Sequence, residues 1–429
     1  MGRMHRRLTV GLFGRFRLGR ARGSTPQLLM AAGVTVLAMA LLAGVLGWQG
    51  LARRADALER ARAETAQQVR IQTARTSLVI ADTAAGTDVL TGADPTVFRY
   101  RLFAYKAQNA TIGLVTSART DADAATLATA NNYLTAYAMQ VQAARTLARD
   151  GRDETAADTL AEASAVLHQQ VLPRLAEVRR TGQERLDDDV SAAGTAPLIA
   201  LAASLVAIAA IVAVHLWLTR RTRRLLNPRL AAGVLALVVV TIAGVVVVDA
   251  GRQQVLLARD DALRVADAVV EARFAAFDAR SAEALGALGG TTVRDEETWA
   301  GSIGDARGHL EVAASDGSRQ VRDDVAKVSD TLEHYTGVHD RLLTEAEKGN
   351  TARVRQMASN PAPGGAVGAF ENFDAYSGAL LARQVQSADD AWAASGENLR
   401  LVGWLTLGAG LLAAVLGWSG IAARRREYR

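Results

Sequence analysis

The sequence predicts an all-α membrane protein with four transmembrane helices and two extracytoplasmic antiparallel four-helix bundles, internally duplicated. Three observations carry this. Four long apolar runs punctuate a polar, alanine-rich chain of 429 residues. Arginine gathers in the three short segments outside and between those runs. The two halves of the chain repeat one order of elements at a nearly fixed offset.

A bilayer core of roughly 30 Å requires about 20 apolar residues in a helix. The runs 28–48, 197–218, 230–248 and 401–422 meet that length, none contains an acidic residue, and His215 is their only ionisable group. The first run follows a basic leader, as a secretory signal does. It is long for a signal core, and Gln49-Gly50-Leu51-Ala52-Arg53-Arg54 offers no small-residue cleavage site, so an uncleaved anchor is expected.

Orientation follows from the arginines. The leader 1–27 has seven arginines and no acid, the loop 219–229 has five and no acid, and the tail 423–429 has four with one glutamate. These segments hold 16 basic residues against 1 acid, whereas the rest of the chain holds 33 against 43. The expected location is the plasma membrane, multi-pass, with both termini and the central loop cytoplasmic. Segments 49–196 and 249–400 are then extracytoplasmic. Trp48 and Trp404 fall at outer span ends, Trp217 and Trp418 at inner ends, as interfacial belts favour. The basic excess reports topology and membrane lipid, and no nucleic-acid partner is expected.

An offset of 198 aligns much of the two halves without gaps. Ala74-Arg75 falls on Ala272-Arg273, Gly92 on Gly290, Leu134 and Tyr137 on Leu332 and Tyr335, and Gly151 on Gly349. Asn360-Pro361-Ala362-Pro363-Gly364-Gly365 has no counterpart and reads as a loop insertion. Parallel repeats imply a pseudo-twofold axis along the membrane normal.

Both extracytoplasmic segments are rich in helix formers. Breaks at Gly92–Pro95, Thr120-Asp121 and Asp150-Gly151 divide the first into four helices. Breaks at Gly289-Gly290, Asp316-Gly317 and Lys348–Asn350 divide the second. The first helix of each continues the incoming span and the fourth runs into the outgoing one. Asp94-Pro95 fits an N-cap with proline at the first helical position, and Gly151 and Gly349 fit C-terminal caps. An apolar stripe through Leu127, Leu134, Tyr137 and Val141 indicates a thin, small-residue core. Pro173 should kink the fourth helix of the first bundle.

The chain has no cysteine, which excludes disulfides and thiolate metal sites. Its six histidines show no metal-ligand spacing, and neither a phosphate-binding glycine loop, a zinc-protease pair nor a nucleophile elbow is present. No cofactor, metal or enzymatic activity is expected. The adjacent acids Asp187-Asp188-Asp189 read as solvated surface. Arg75 and Arg273, at equivalent repeat positions, are the candidate contacts for a carboxylate ligand. Arg220, Arg221, Arg223 and Arg224 are candidates to dock an acidic cytosolic partner, in addition to setting topology. Ala409 and Ala413 permit close packing of the last span, within one chain or between copies in a homo-oligomer.

The helix ends Ala-Arg-Asp-Gly151 and Ala-Glu-Lys-Gly349 resemble the turn between the third and fourth helices in four-helix-bundle sensor modules of bacterial receptors. The whole layout of arginine-rich leader, four spans, two helical ectodomains and short basic loop and tail resembles the actinobacterial GlnX-type membrane proteins. That resemblance implies an extracytoplasmic amino-acid-binding lipoprotein and a cytosolic Ser/Thr kinase of the PknG type as partners, and relay of aspartate or glutamate availability between them. An envelope scaffold and an accessory transport component are the alternatives. The lack of buried charge in the spans counts against an ion path.

Overall fold

The computed structural model describes residues 25–90, 118–222, 227–289 and 293–426, with scattered positions between 105 and 116. The helices are α1 (Thr25–Leu90), α2 (Asp121–Arg149), α3 (Asp153–Val166) and α4 (Leu172–Thr222), then α5 (Pro228–Leu256), α6 (Arg264–Gly289) and α7 (Val293–Asp316). They are followed by α8 (Arg319–Glu347), α9 (Thr351–Ser359), α10 (Ala366–Gly396) and α11 (Leu399–Arg426). No strand occurs among the described residues. The leader, the expected cap at Asp94-Pro95 and most of the central loop lie outside them.

Among the described residues, four helical stretches are long and apolar enough to cross a membrane, which is compatible with a membrane protein. The chain divides into two compact units. Among the described residues, one gathers 25–49, 199–222, 227–243 and 402–426, and holds most of each apolar run. Its core is made of small and aliphatic side chains such as Val36, Ala40, Ala43, Ala207, Ile211 and Ala413. Its outer surface is apolar as well, with Leu205, Val239 and Val415 all exposed. Within it, α1 and α11 approach most closely at two glycines. A Cβ on Gly410 would lie 2.6 Å from the Gly44 Cα, and one on Gly44 would lie 3.1 Å from the Gly410 Cα. Small residues permit such backbone contact, and dispersion replaces the hydrophobic effect as the force holding apolar helices together in lipid. Trp48 and Trp404 meet here with ring centroids 5.4 Å apart.

The second unit, residues 50–198 and 244–401, is a helical assembly with one continuous core. Of its helix ends, the glycine C-terminal caps were expected from sequence and the side-chain N-caps were not. Thr120 accepts from the Asp123 N–H at the start of α2, and Ser318 accepts from the Val321 N–H at the start of α8. Each supplies an acceptor to an otherwise orphaned helix N–H. Gly151 and Gly349 hold left-handed φ of 72° and 75°. The following N–H groups, of Arg152 and Asn350, close back onto Leu147 and Glu345, the bonding of a Schellman cap. Thus α2 and α8 are each 29 residues long and begin and end 198 residues apart. Tyr137 and Tyr335, from the same offset, are buried in the core.

One expectation needs correction. The fourth helix of the second segment does not run unbroken into the last apolar stretch. The Asn360–Gly365 loop splits it into α9 and α10, and α10 stops at Gly396. Asn398 then takes φ 65° before α11 begins, a left-handed conformation that asparagine tolerates better than most residues. Pro173 is accommodated by a π-helical stretch, Leu167–Val171, immediately ahead of it. The wider turn there absorbs the missing N–H and relieves the clash of the ring with the preceding carbonyl. A second π-helical stretch, Leu257–Leu263, joins α5 to α6.

Candidate functional site

The buried part of α1 is unusually polar for a core helix. Gln67, Gln68, Gln72, Arg75, Asp82 and Asp88 are all buried. Many of them meet residues one repeat away. Gln72 donates to Asp267, Arg75 to Glu271, Thr83 to the Phe277 carbonyl, and Ser281 to Asp82. At Gly86 the helices come close enough that a Cβ would lie 3.2 Å from that of Ala284, its counterpart at offset 198.

Two histidines adjoin these residues, His339 buried and His168 half-buried. His168 Nδ1 lies 2.9 Å from the Ser164 carbonyl and Nε2 lies 3.0 Å from Asp278. Both partners only accept, so both ring nitrogens donate and the ring is an imidazolium. Burial alone would lower its pKa. The hydrogen bond and charge of Asp278, with the charge of Asp82, outweigh this and set it at about 9. His339 is held likewise between Glu283 at 2.7 Å and Glu296 at 3.2 Å, and stacks on Trp299 with centroids 3.7 Å apart. Burial opposes its charge, but the two carboxylates raise its pKa. Glu283 also accepts from Arg280 and from the Tyr335 hydroxyl. A buried carboxylate with that many donors is satisfied in place, so this cluster reads as fixed framework.

A groove of about 300 Å³ lies between α1, α4, α10 and the junction of α5 with α6. Gln68, Gln72, Gln183, Arg259, Arg264 and Asp267 supply its polar lining, and Val69, Leu186, Leu263 and Val385 its apolar part. Gln68 is 8% exposed, and its Nε2 finds no hydrogen-bond acceptor. Such buried orphans are rare in folded proteins. Burial raises the pKa of Asp267, opposed in part by the Gln72 hydrogen bond and the charge of Arg179.

The arginines singled out from sequence lie elsewhere. Arg75 is buried, donates to Glu271 at 3.3 Å and lies 4.3 Å over the Phe274 ring. Arg273 is buried against α10, where it bonds the carbonyl and carboxylate of Asp374 and the Ser377 hydroxyl. Neither lines the groove. Arg220 is exposed near the end of α4. The Arg221 side chain, Arg223 and Arg224 lie outside the described residues. Among the described residues no group of three or more histidines or acids is placed to hold a metal.

The groove residues escaped the sequence reading because glutamine on a helix signals nothing by itself. The available clue was density. Gln67-Gln68 and Gln72 fall within two turns of one another on a single helix.

Residues 57–191 match the family model described as "Actinobacterial sensor domain". The match includes the α1 and α4 walls of the groove and supports a sensor protein of actinobacteria, with a sensing or signalling role. No curated protein and no solved structure matches the chain.

Proposed function

We propose that this protein is a four-span transmembrane relay. It takes a signal from an extracytoplasmic helical unit and passes it to a cytosolic partner such as a Ser/Thr kinase. An extracytoplasmic amino-acid-binding lipoprotein is the candidate source of the signal. Both termini are cytoplasmic, and the two halves arose by duplication around a pseudo-twofold axis.

The observation that supports this best is α1. It is one uninterrupted helix from Thr25 to Leu90, and it carries both an apolar span and the first part of the sensor-matched segment. A continuous helix carries a piston, tilt or rotation along its length, a recognised form of switching movement. A cytosolic protein that meets the basic cytoplasmic segments is the proposed reader of that movement. Arg220, Arg221, Arg223 and Arg224 are its proposed contact.

The test is crosslinking and co-purification from native membranes, with and without added aspartate or glutamate. Recovery of a binding lipoprotein or cytosolic kinase in an amount that changes with the amino acid supports the relay. Recovery of envelope proteins alone, indifferent to the amino acid, favours a scaffold, and recovery of an ATPase favours an accessory transport component. Either of these sinks the relay.

A further inference from the structure

We propose that the groove beside Gln68 binds a small organic carboxylate. The proposal rests on the relay reading only in taking the groove to be extracytoplasmic. At about 300 Å³ the groove is at the lower end of small-molecule sites. The buried Gln68 Nε2 has no acceptor, so the complementary ligand presents an oxygen there. Two of the three charged lining residues, Arg259 and Arg264, are cationic. Arg259 gives Nη2 to Asp187 in an exposed pair. That leaves most of its fork of five donors for a second, planar acceptor, the geometry in which guanidinium binds carboxylate.

Asp267, the acid of the lining, already accepts from Gln72, and burial works against its negative charge. Val69, Leu186 and Leu263 give the ligand's carbon body somewhere to lie, which a bare inorganic anion would not use. The π-helical stretch that ends at Leu263 carries both Arg259 and Leu263 into the lining. Such stretches are rare and recur at functional sites.

The experiment is calorimetric titration of the detergent-solubilised full chain with acetate, butyrate and succinate, each beside its uncharged amide. A carboxylate is expected to bind with its amide about tenfold or more weaker, the difference a charged hydrogen bond makes. Gln68→Leu and Arg259→Met are each expected to weaken binding by about the same factor. Gln68 is in the core, so the half-buried Arg259 carries the test if Gln68→Leu fails to fold. Binding by none of the carboxylates, equal binding of the amides, or undiminished binding to Arg259→Met overturns the proposal. Titration uses no cytosolic partner, so its failure leaves the relay standing. Binding by a chain that recovers no cytosolic protein sinks the relay and leaves the site.

Discussion

At the scale of single residues, charge buried in a small-side-chain core is the feature with the largest energetic consequence. Arg145 and Asp88 form an ion pair in which both side chains are at most 2% exposed. Removing one partner strands a buried charge. Arg145→Leu is therefore expected to destabilise the protein by about 3–5 kcal/mol, and Asp88→Leu in the same chain to recover most of that loss, as read from thermal unfolding in detergent. The histidines give a pH signature. Because the folded pKa of His168 is raised above its ordinary value of 6.5 to about 9, its contribution is full below about pH 6.5 and is lost as pH rises through 9. The melting temperature is expected to fall between pH 7 and 10, and to fall less in His168→Gln. An imidazole resonance titrating at its ordinary position would contradict the assignment. None of this was legible beforehand, because a histidine in an alanine-rich sequence does not announce the carboxylates that the fold will bring to it from 110 residues away.

At the scale of helices, much was legible. Gly151 and Gly349 as C-terminal caps and the loop at Asn360–Gly365 follow from local backbone chemistry, which acts within a few residues, whereas Thr120 and Ser318 went unread as N-caps. The break at Glu397–Asn398 was missed because asparagine is only a weak terminator, and it carries φ 65° without glycine's help. The Arg54 staple was also invisible. Pro197 has no N–H, so the Ala193 carbonyl lacks its partner within the helix. Arg54 Nη1 donates to that carbonyl at 2.9 Å, and Nη2 reaches the Val248 carbonyl at 3.2 Å. Arg54→Leu is expected to cost about 1–3 kcal/mol by leaving a buried acceptor unmet. In a Pro197→Ala background, where the helix supplies its own N–H, the same change should cost less. Equal costs in the two backgrounds would show that the carbonyl does not matter. The Gly44–Gly410 crossing makes a further comparison. Gly410→Leu should destabilise by about 1–3 kcal/mol through overpacking, and Gly44→Ala by less, because its added Cβ has more room.

At the scale of the whole molecule, helical architecture and four candidate spans were readable because they depend on sums over many residues, such as hydropathy and helix propensity. The groove was not, because it needs α1, α4, α6 and α10 brought together from across the sequence. The central claim is that an event in the sensor-matched unit changes the apolar one. The absence of cysteine makes this accessible, since an introduced pair reacts without background. Gly33 and Ile421 are suitably close, with a Cβ on Gly33 falling 3.5 Å from the Ile421 side chain. The measurement is the disulfide-formation rate of the Gly33→Cys, Ile421→Cys chain in membranes, with and without the carboxylate that binds the groove, and again with Arg259→Met. The account predicts a rate that changes with the carboxylate and ceases to change when Arg259 is replaced. An unaltered rate while the carboxylate is bound would contradict it.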